Sequence, residues 1–230
     1  MNIQIFSDAE EVTAEAAKLI AMIARQSVEE RGRFILAVSG GRTPWQMLRD
    51  LGKEDVPWKS VYVFQVDERI APIGHPDRNL TQLRHNLLEN SPISEHQIYA
   101  MPVEWNDLEF AAGEYSDLFS QLVGSPTIID LVHLGLGADG HTASLIPEDQ
   151  VLEINDRDVA ITDFYQGRKR MTLTYPIINR ARNIMWVITG AEKAPMLKRL
   201  LDADPSIPAG RIHQEKAFIL ADLDAADNLS

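Results

Sequence analysis

The stretch that decides the fold reads Ile128-Ile129-Asp130-Leu131-Val132-His133-Leu134-Gly135-Leu136-Gly137-Ala138-Asp139-Gly140-His141-Thr142-Ala143-Ser144. Its first seven residues form a mostly apolar run, which predicts a buried strand. The three glycines within residues 135–140 allow a sharp turn and a close approach of the backbone to a ligand. We expect the turn to deliver Asp139 and His141 to the start of a short helix. In open α/β sheets, ligands bind at such a place, beyond the carboxyl end of a strand.

The rest of the chain alternates between strand and helix signals. Strands are predicted at residues 3–6, 34–38, 61–66, 128–134, 171–174, 184–189 and 217–220. Helices are predicted at residues 7–32, from 45 onward, at 79–88, 108–122 and 191–201, the first with a Ser7–Glu10 capping box and Gly32 as its C-cap. This alternation predicts a mainly parallel sheet covered by helices on both faces. Because no linker or repeat interrupts it, we expect one domain over residues 1–230.

Composition narrows the class of protein. The 230 residues are 45% hydrophobic and 24% charged, as in ordinary globular proteins. The chain has no cysteine, which excludes disulfides, thiolate catalysis and cysteine-ligated metal sites. No secretory signal and no apolar run of about 18 residues is present, so we expect a cytoplasmic protein without a membrane partner. The net charge of −12 argues against nucleic-acid binding, and an anionic ligand would need local cations.

Two loops that follow predicted strands carry candidate anion ligands. Ser39-Gly40-Gly41-Arg42-Thr43 offers backbone N–H groups, hydroxyls and a guanidinium at a helix N-terminus, which suits a phosphate. A plain strand-to-helix turn is the alternative interpretation. Asp67-Glu68-Arg69 ends another strand, and Arg69 is the sharper candidate there because a guanidinium can bind a phosphate or carboxylate bidentately.

His141 is the candidate general base. Asp139 lies two residues away, and a carboxylate that orients a histidine is the usual support for such a role. A surface or helix-capping histidine is the alternative. Residues 135–140 also match G-x-G-x-x-G, but Pro147 interrupts the following pattern, which argues against a dinucleotide site. The other histidines show no metal-ligand spacing with His141, so no metal site is predicted.

In combination, these segments resemble the 6-phosphogluconolactonase family, within the glucosamine-6-phosphate isomerase/deaminase superfamily. The matching segments appear in the family's order and span nearly the whole chain. They are Leu36-Ala37-Val38-Ser39-Gly40-Gly41-Arg42-Thr43-Pro44, Val66-Asp67-Glu68-Arg69, His75-Pro76-Asp77-Arg78-Asn79-Leu80, residues 135–147, Arg170-Met171-Thr172-Leu173-Thr174 and Thr189-Gly190-Ala191-Glu192-Lys193-Ala194.

The resemblance implies a three-layer α/β/α, Rossmann-like domain that hydrolyses 6-phosphoglucono-δ-lactone in the oxidative pentose phosphate pathway, without a metal or organic cofactor. It implies a small-molecule sugar-phosphate partner, and we expect a monomer or weak homodimer. One departure is Arg78, where many members carry Ser before the Asn. The implied site residues are Ser39, Gly40, Gly41, Arg42 and Thr43 in the phosphate loop, His141 as the catalytic histidine, Arg69 of the Asp-Glu-Arg motif, Asn79, and the basic residues Arg170 and Lys193.

The chemistry of a lactone agrees with this assignment. A neutral His141 would take a proton from an attacking water, and Arg69 or another cation would stabilise the resulting oxyanion. Asp139 and Asp67 are both candidates for orienting His141. The nearest rival is a glucosamine-6-phosphate isomerase/deaminase, which resembles Asp-Glu-Tyr at positions 67–69 and has an acidic residue after the histidine. Leu145 stands where that acid would be. A non-catalytic sugar-phosphate sensor is a second rival.

Overall fold

The computed structural model describes residues 1–229, and its central element is a parallel sheet of seven strands. Along this sheet the strand order is β1-β10-β9-β6-β2-β3-β5, and every neighbouring pair is parallel. The strands of the described chain are β1 (Asn2–Phe6), β2 (Phe34–Val38), β3 (Val61–Gln65), β4 (Asp67–Arg69), β5 (Ile98–Tyr99), β6 (Leu131–Leu134), β7 (Val159–Ile161), β8 (Arg170–Leu173), β9 (Asn183–Ile188) and β10 (Ala217–Asp222).

Helices cover both faces of this sheet. They are α1 (Ala9–Arg31), α2 (Arg42–Leu51), α3 (Asn79–Asn86), α4 (Leu108–Val123), α5 (Tyr175–Arg180) and α6 (Ala194–Leu201). Successive side chains of β2 point to opposite faces, so Leu36 packs with α1, α2 and α3 while Ile35 and Ala37 pack with α4, α5 and α6. The two cores enclose the sheet as the middle of three layers, and the predicted fold class is confirmed.

The order in which strands are added to the sheet changes direction between β2 and β6. From β2 the sheet continues through β3 to β5, and from β6 it continues through β9 to β10 on the other side. β2 and β6 are direct neighbours, with Leu36 opposite Leu131 and Ala37 opposite Val132. The loops after these two strands therefore flank a crevice at the carboxyl edge of the sheet, where ligands bind in folds of this kind.

A second sheet of three antiparallel strands, in the order β4-β8-β7, departs from the prediction. The strand predicted at residues 171–174 is present as Arg170–Leu173, but β8 pairs with β4 and β7 rather than with the main sheet. The segment expected to be a charged strand end is itself β4, with Asp67 opposite Thr172 and Arg69 opposite Arg170. This small sheet holds both arginines beside the crevice.

Two local predictions are wrong. Residues 141–145 are not a helix, since Gly140 has φ 84° and Ala143 has φ 50°, both left-handed, and the segment closes through a Thr142–Leu145 bridge. The first helix is capped one residue later than predicted, by Asp8, whose carboxylate accepts the Glu11 N–H at 2.9 Å. Its end at Gly32, which has φ 75°, is as predicted.

Candidate active site

A cavity of 940 Å³ opens at the crevice between the two halves of the sheet. Segments that are far apart in the sequence meet there. Residues 39–43, His141 and Lys193 follow strands of the main sheet that end at this edge, whereas Asp67, Arg69 and Arg170 lie on the small sheet. The predicted site residues that line the cavity are Ser39, Gly40, Gly41, Arg42, Thr43, Asp67, Arg69, Asn79, His141, Arg170 and Lys193. Asp139, the remaining predicted site residue, contacts His141.

His141 and Asp139 form a hydrogen-bonded pair. His141 Nδ1 lies 2.6 Å from Asp139 Oδ1, and the His141 backbone N–H donates to the same oxygen at 3.2 Å. The hydrogen bond to His141 holds the pKa of the Asp139 carboxyl well below its usual value, so this carboxylate is ionised. Because Nδ1 is occupied, Nε2 is the ring nitrogen that is available to a ligand.

Gly137 makes room for this pair. A Cβ atom at residue 137 would lie 2.1 Å from His141 Nδ1 and 2.5 Å from Asp139 Oδ1, closer than any side chain allows. The Gly137 N–H also donates to the His141 carbonyl at 2.8 Å, which closes the turn over the imidazole. The glycine-rich sequence therefore serves the packing of the histidine.

Asp67 does not contact His141. Its Oδ2 accepts the Ser144 hydroxyl at 2.7 Å, and its Oδ1 accepts the Asn79 amide at 3.2 Å. Of the two carboxylates predicted to orient the imidazole, the structure thus places Asp139 in contact with it. Asp67 is buried beside Arg170, whose charge it partly balances.

Glu68 organises the loop that carries Asn79, a role that the sequence did not reveal. Its carboxylate accepts the backbone N–H groups of Asn79 at 2.7 Å and Leu80 at 2.8 Å, at the first turn of α3. Arg78, the residue that departs from the family's pattern, is buried with its Nε 3.0 Å from Glu68 Oε2. Asn79 is thereby pressed against Gly40, where a Cβ would lie 1.9 Å from Asn79 Oδ1.

The loop after β2 is anchored by His133 of β6. The Ser39 N–H donates to His133 Nδ1 at 3.3 Å, and the Ser39 hydroxyl donates to the His133 carbonyl at 3.0 Å. Burial lowers the pKa of His133 to about 3, so the ring is neutral and Nδ1 can accept. Because the Ser39 N–H and hydroxyl both donate to His133, we expect the loop from Gly40 onward to bind an anion.

Two cations at this end of the cavity have no ion-pair partner. Within residues 1–229, neither Arg42, in the first turn of α2, nor Lys193, in the turn before α6, is paired with a carboxylate. Asp222 fixes the turn before Lys193, because its carboxylate accepts the Gly190 N–H at 3.0 Å. Across the crevice, the hydroxyls of Thr43 and Thr189 lie 2.7 Å apart. These unpaired charges are free to bind an anion.

Arg69 and Arg170 supply the positive charge nearer to the middle of the site. Arg69 donates to the Asn79 side chain and to the Asp77 carbonyl. Arg170 is buried, donates to Ser144 Oγ at 3.4 Å and leaves its Nε without a partner among the described residues. Burial lowers the pKa of Arg170, but a guanidinium stays charged near neutral pH.

Sequence reasoning assigned no role to Glu68, His133 and Tyr165, whose side chains hold the predicted residues in place. It placed the Ser144 hydroxyl near the imidazole, and the structure shows it bonded to Asp67. Glu68 lies between the candidates Asp67 and Arg69, and Ser144 lies three residues after His141. This proximity in the sequence was the signal that could have identified them. No group of three or more metal-ligating side chains occurs in the part of the chain that the structure describes. None of the described helices combines the length and the apolar character that crossing a membrane requires.

Comparison with known proteins shows the family to which the chain belongs. Residues 7–220 match the family described as glucosamine-6-phosphate isomerases/6-phosphogluconolactonase. A 6-phosphogluconolactonase of Nostoc sp. is 32% identical over 98% of this chain and 96% of its own length, and one of Synechocystis sp. is 36% identical over 89% and 88%. The solved structure of a 6-phosphogluconolactonase from Trypanosoma cruzi superposes with a TM-score of 0.89 at 25% identity, covering 100% of this chain and 97% of that one. The chain therefore belongs to the glucosamine-6-phosphate isomerase/6-phosphogluconolactonase family, as its ordered motifs predict.

Proposed function

We propose that the protein hydrolyses 6-phospho-D-glucono-1,5-lactone to 6-phospho-D-gluconate, in the oxidative pentose phosphate pathway. One observation carries the proposal: an imidazole held by a carboxylate and a set of unpaired cations open into the same cavity. The names of the relatives, which are 6-phosphogluconolactonases at 32% and 36% identity, support it. A sugar phosphate with a reactive carbonyl suits both ends of such a cavity.

The phosphate would bind at the start of α2. The N–H groups of Gly40 and Gly41 precede this helix, and its dipole favours negative charge at that end. Arg42 and Lys193 add two full positive charges there. Such a local concentration of cations offsets the repulsion from a net charge of −12.

His141 would act as the general base. Its Nε2 accepts a proton from water while the water oxygen forms a bond to the lactone carbonyl carbon, which leaves the carbonyl oxygen negative. Arg69 and Arg170 stabilise that oxyanion. The bond between this carbon and the ring oxygen then breaks, and the ring oxygen takes the proton from Nε2. The products are the free acid, which ionises, and a hydroxyl on the former ring oxygen.

The rival isomerase/deaminase reaction is less well supported. Its sequence pattern places an acidic side chain after the histidine, and here that position is Leu145, which is fully buried. The neighbouring Ser144 is also buried, with its hydroxyl bonded to Asp67. Neither residue can shuttle a proton between the carbons of an aminosugar.

A direct assay tests the proposal against both rivals. We expect the protein to accelerate acid release from freshly prepared lactone, and His141→Ala to lower kcat by about 10²–10⁴-fold with the circular dichroism spectrum unchanged. His85→Ala, at an exposed histidine paired with Glu89, is the control and should keep full activity. Ammonia release from glucosamine 6-phosphate would support the isomerase instead, and binding without turnover of either compound would support the sensor.

A further inference from the structure

Tyr165 lies on the hairpin that joins β7 to β8. Its N–H donates to the Arg168 carbonyl at 2.9 Å, and the Arg168 N–H donates back at 3.2 Å. Between them Gln166 and Gly167 have φ 51° and 81°, the left-handed pair that a tight two-residue hairpin turn requires. The turn therefore fixes the backbone of Tyr165 immediately before the bend.

The Tyr165 side chain reaches the carboxylate behind the proposed base. Its hydroxyl donates to Asp139 Oδ2 at 2.8 Å, while Asp139 Oδ1 lies 2.6 Å from His141 Nδ1. The phenol ring also packs edge-on against the imidazole, with centroids 5.6 Å apart and planes inclined by 65°. Each oxygen of Asp139 thus has its own donor, so the carboxylate cannot rotate without breaking one of the two contacts.

Charged groups around this trio come from three elements. Asp139 belongs to the turn of His141 itself, Arg170 of β8 stands 4.9 Å from the Tyr165 ring centroid, and Asp67 and Arg69 of β4 flank Arg170. Burial, and then the hydrogen bond to Asp139, raises the pKa of the Tyr165 phenol above its usual value. The phenol consequently remains protonated, as a donor, under conditions in which His141 acts.

We infer that Tyr165 is a positioning residue for the reaction, holding Asp139 in the orientation that presents His141 Nε2 to the substrate. The inference rests on the proposed function in that His141 is taken to be the base. The hydroxyl also draws negative charge away from the side of the carboxylate that faces the imidazole. Without it, Asp139 would be a stronger partner for the protonated ring, and the neutral base would be lost at a higher pH.

The test compares Tyr165→Phe with Phe164→Ala. Phe164 is on the same hairpin, is 73% exposed and packs against Lys169, so its variant controls for damage to the hairpin. For Tyr165→Phe we expect kcat to fall about tenfold, a fraction of the whole general-base effect, with KM within about twofold of the wild-type value. The acid limb of the pH profile should move up by about 0.5 pH unit. Phe164→Ala should change none of these quantities.

A second measurement does not depend on turnover. The titration midpoint of the His141 ring, followed by NMR of its nitrogens in the ligand-free protein, should rise in Tyr165→Phe by the same amount as the acid limb. Unchanged kcat and midpoint, or a rise in KM alone, would overturn the inference. If the protein did not hydrolyse the lactone the proposed function would fail, whereas the NMR titration would still decide whether Tyr165 acts on the pair.

Discussion

The contact between Asp139 and His141 fixes the direction in which the imidazole can accept a proton. With Nδ1 held at 2.6 Å by an ionised carboxylate, the neutral ring keeps its proton on Nδ1 and leaves Nε2 free to accept one. In the proposed mechanism, the anionic partner would also stabilise the imidazolium that forms during the attack on the substrate. The contact with Asp139 would therefore support both the uptake of a proton at Nε2 and its later release.

Arg42 gives a prediction about substrate capture. Replacing it by Ala should raise KM for the phosphorylated lactone by about 10- to 100-fold, because a hydrogen bond to a charged group contributes roughly 1.5–3 kcal/mol. The value of kcat should stay within a few-fold. Steady-state kinetics with the phosphorylated lactone and with unphosphorylated gluconolactone measures both effects.

The unphosphorylated lactone is the internal control for Arg42→Ala, since its turnover should not change. Arg84→Ala is the matched control for loss of a surface arginine, as Arg84 pairs with Glu95 away from the cavity. Equal losses with the two lactones would contradict a phosphate role for Arg42.

Single positions were predictable where the local sequence decides them. The loop from Gly40 to Thr43 follows a strand and opens a helix, so its place at the cavity could be expected. The inward orientation of Ser39 could not, because it depends on His133, 94 residues away. The same holds for Asp67, whose partner Ser144 comes from a turn on another strand.

Among the elements, the turn at residues 135–141 shows how local pattern and tertiary packing compete. Residues after His141 have an acceptable composition for a helix, yet the left-handed Gly140 and Ala143 end any helical path. The turn instead wraps the imidazole, and Gly137 lies flat against it. The requirement to hold the histidine thus overrides helix propensity in this segment.

Gly137→Ala should disable this element without unfolding the protein. The added Cβ would displace His141 or Asp139, so we expect kcat to fall by about 10²-fold or more, as in loss of the general base. Gly113→Ala is the control, because a Cβ there meets no atom within 4 Å and the residue lies on α4, outside the lining of the cavity. Kinetics together with thermal melting would separate the two variants, and equal activities would contradict the packing argument.

The strands β4 and β7 of the second sheet could not be predicted from the sequence. β4 spans three charged residues and β7 spans three residues, too short for a hydrophobic period to identify. The pairing of β4 with β8 joins segments about a hundred residues apart and depends on the finished fold, whereas β7 pairs with β8 across a local hairpin. The strands and helices of the main layers are longer and more regular, which is why most of them were predicted within a few residues.

For the whole molecule, the alternation of apolar strands and helices was enough to predict a parallel sheet with two covered faces. The order of the strands was not predictable, since it depends on which crossovers lead away from β2 and which from β6. The crevice follows from that order. The sequence was therefore enough to predict which loops line the candidate site, whereas the order of the strands determines that these loops meet.

Buried His133 gives the fold a dependence on pH. Its pKa is about 3 in the folded state, against about 6.5 in an unfolded chain, so between these values only the unfolded chain binds the proton. The stability that the neutral, buried His133 contributes is therefore fully present above pH 6.5, the pKa of the unfolded chain. It is lost as the pH falls towards about 3, the pKa of the folded protein. From about pH 7 to pH 5 the loss should be roughly 2 kcal/mol.

Urea unfolding at the two pH values measures this loss, with His133→Asn as the comparison. Asn keeps an acceptor for the Ser39 N–H but does not titrate. Unfolding of the His133→Asn variant should therefore take up about one proton fewer over this pH range, and its unfolding free energy should depend less on pH. The other five histidines are present in both proteins and cancel. An identical pH dependence in the two proteins would contradict a neutral, buried imidazole.

The pairing of β2 with β6 fixes how far apart the two ends of the candidate site lie. The proposed anion-binding loop begins at Gly40, two residues beyond β2, and the imidazole of His141 lies seven residues beyond β6. The register of Ala37 with Val132 sets one against the other. Slipping that register by one residue would move the two ends by about 3.3 Å, more than the length of a carbon–carbon bond. Under the proposed function, backbone hydrogen bonds between β2 and β6 would therefore set the distance between the phosphate and the carbonyl that the site accepts.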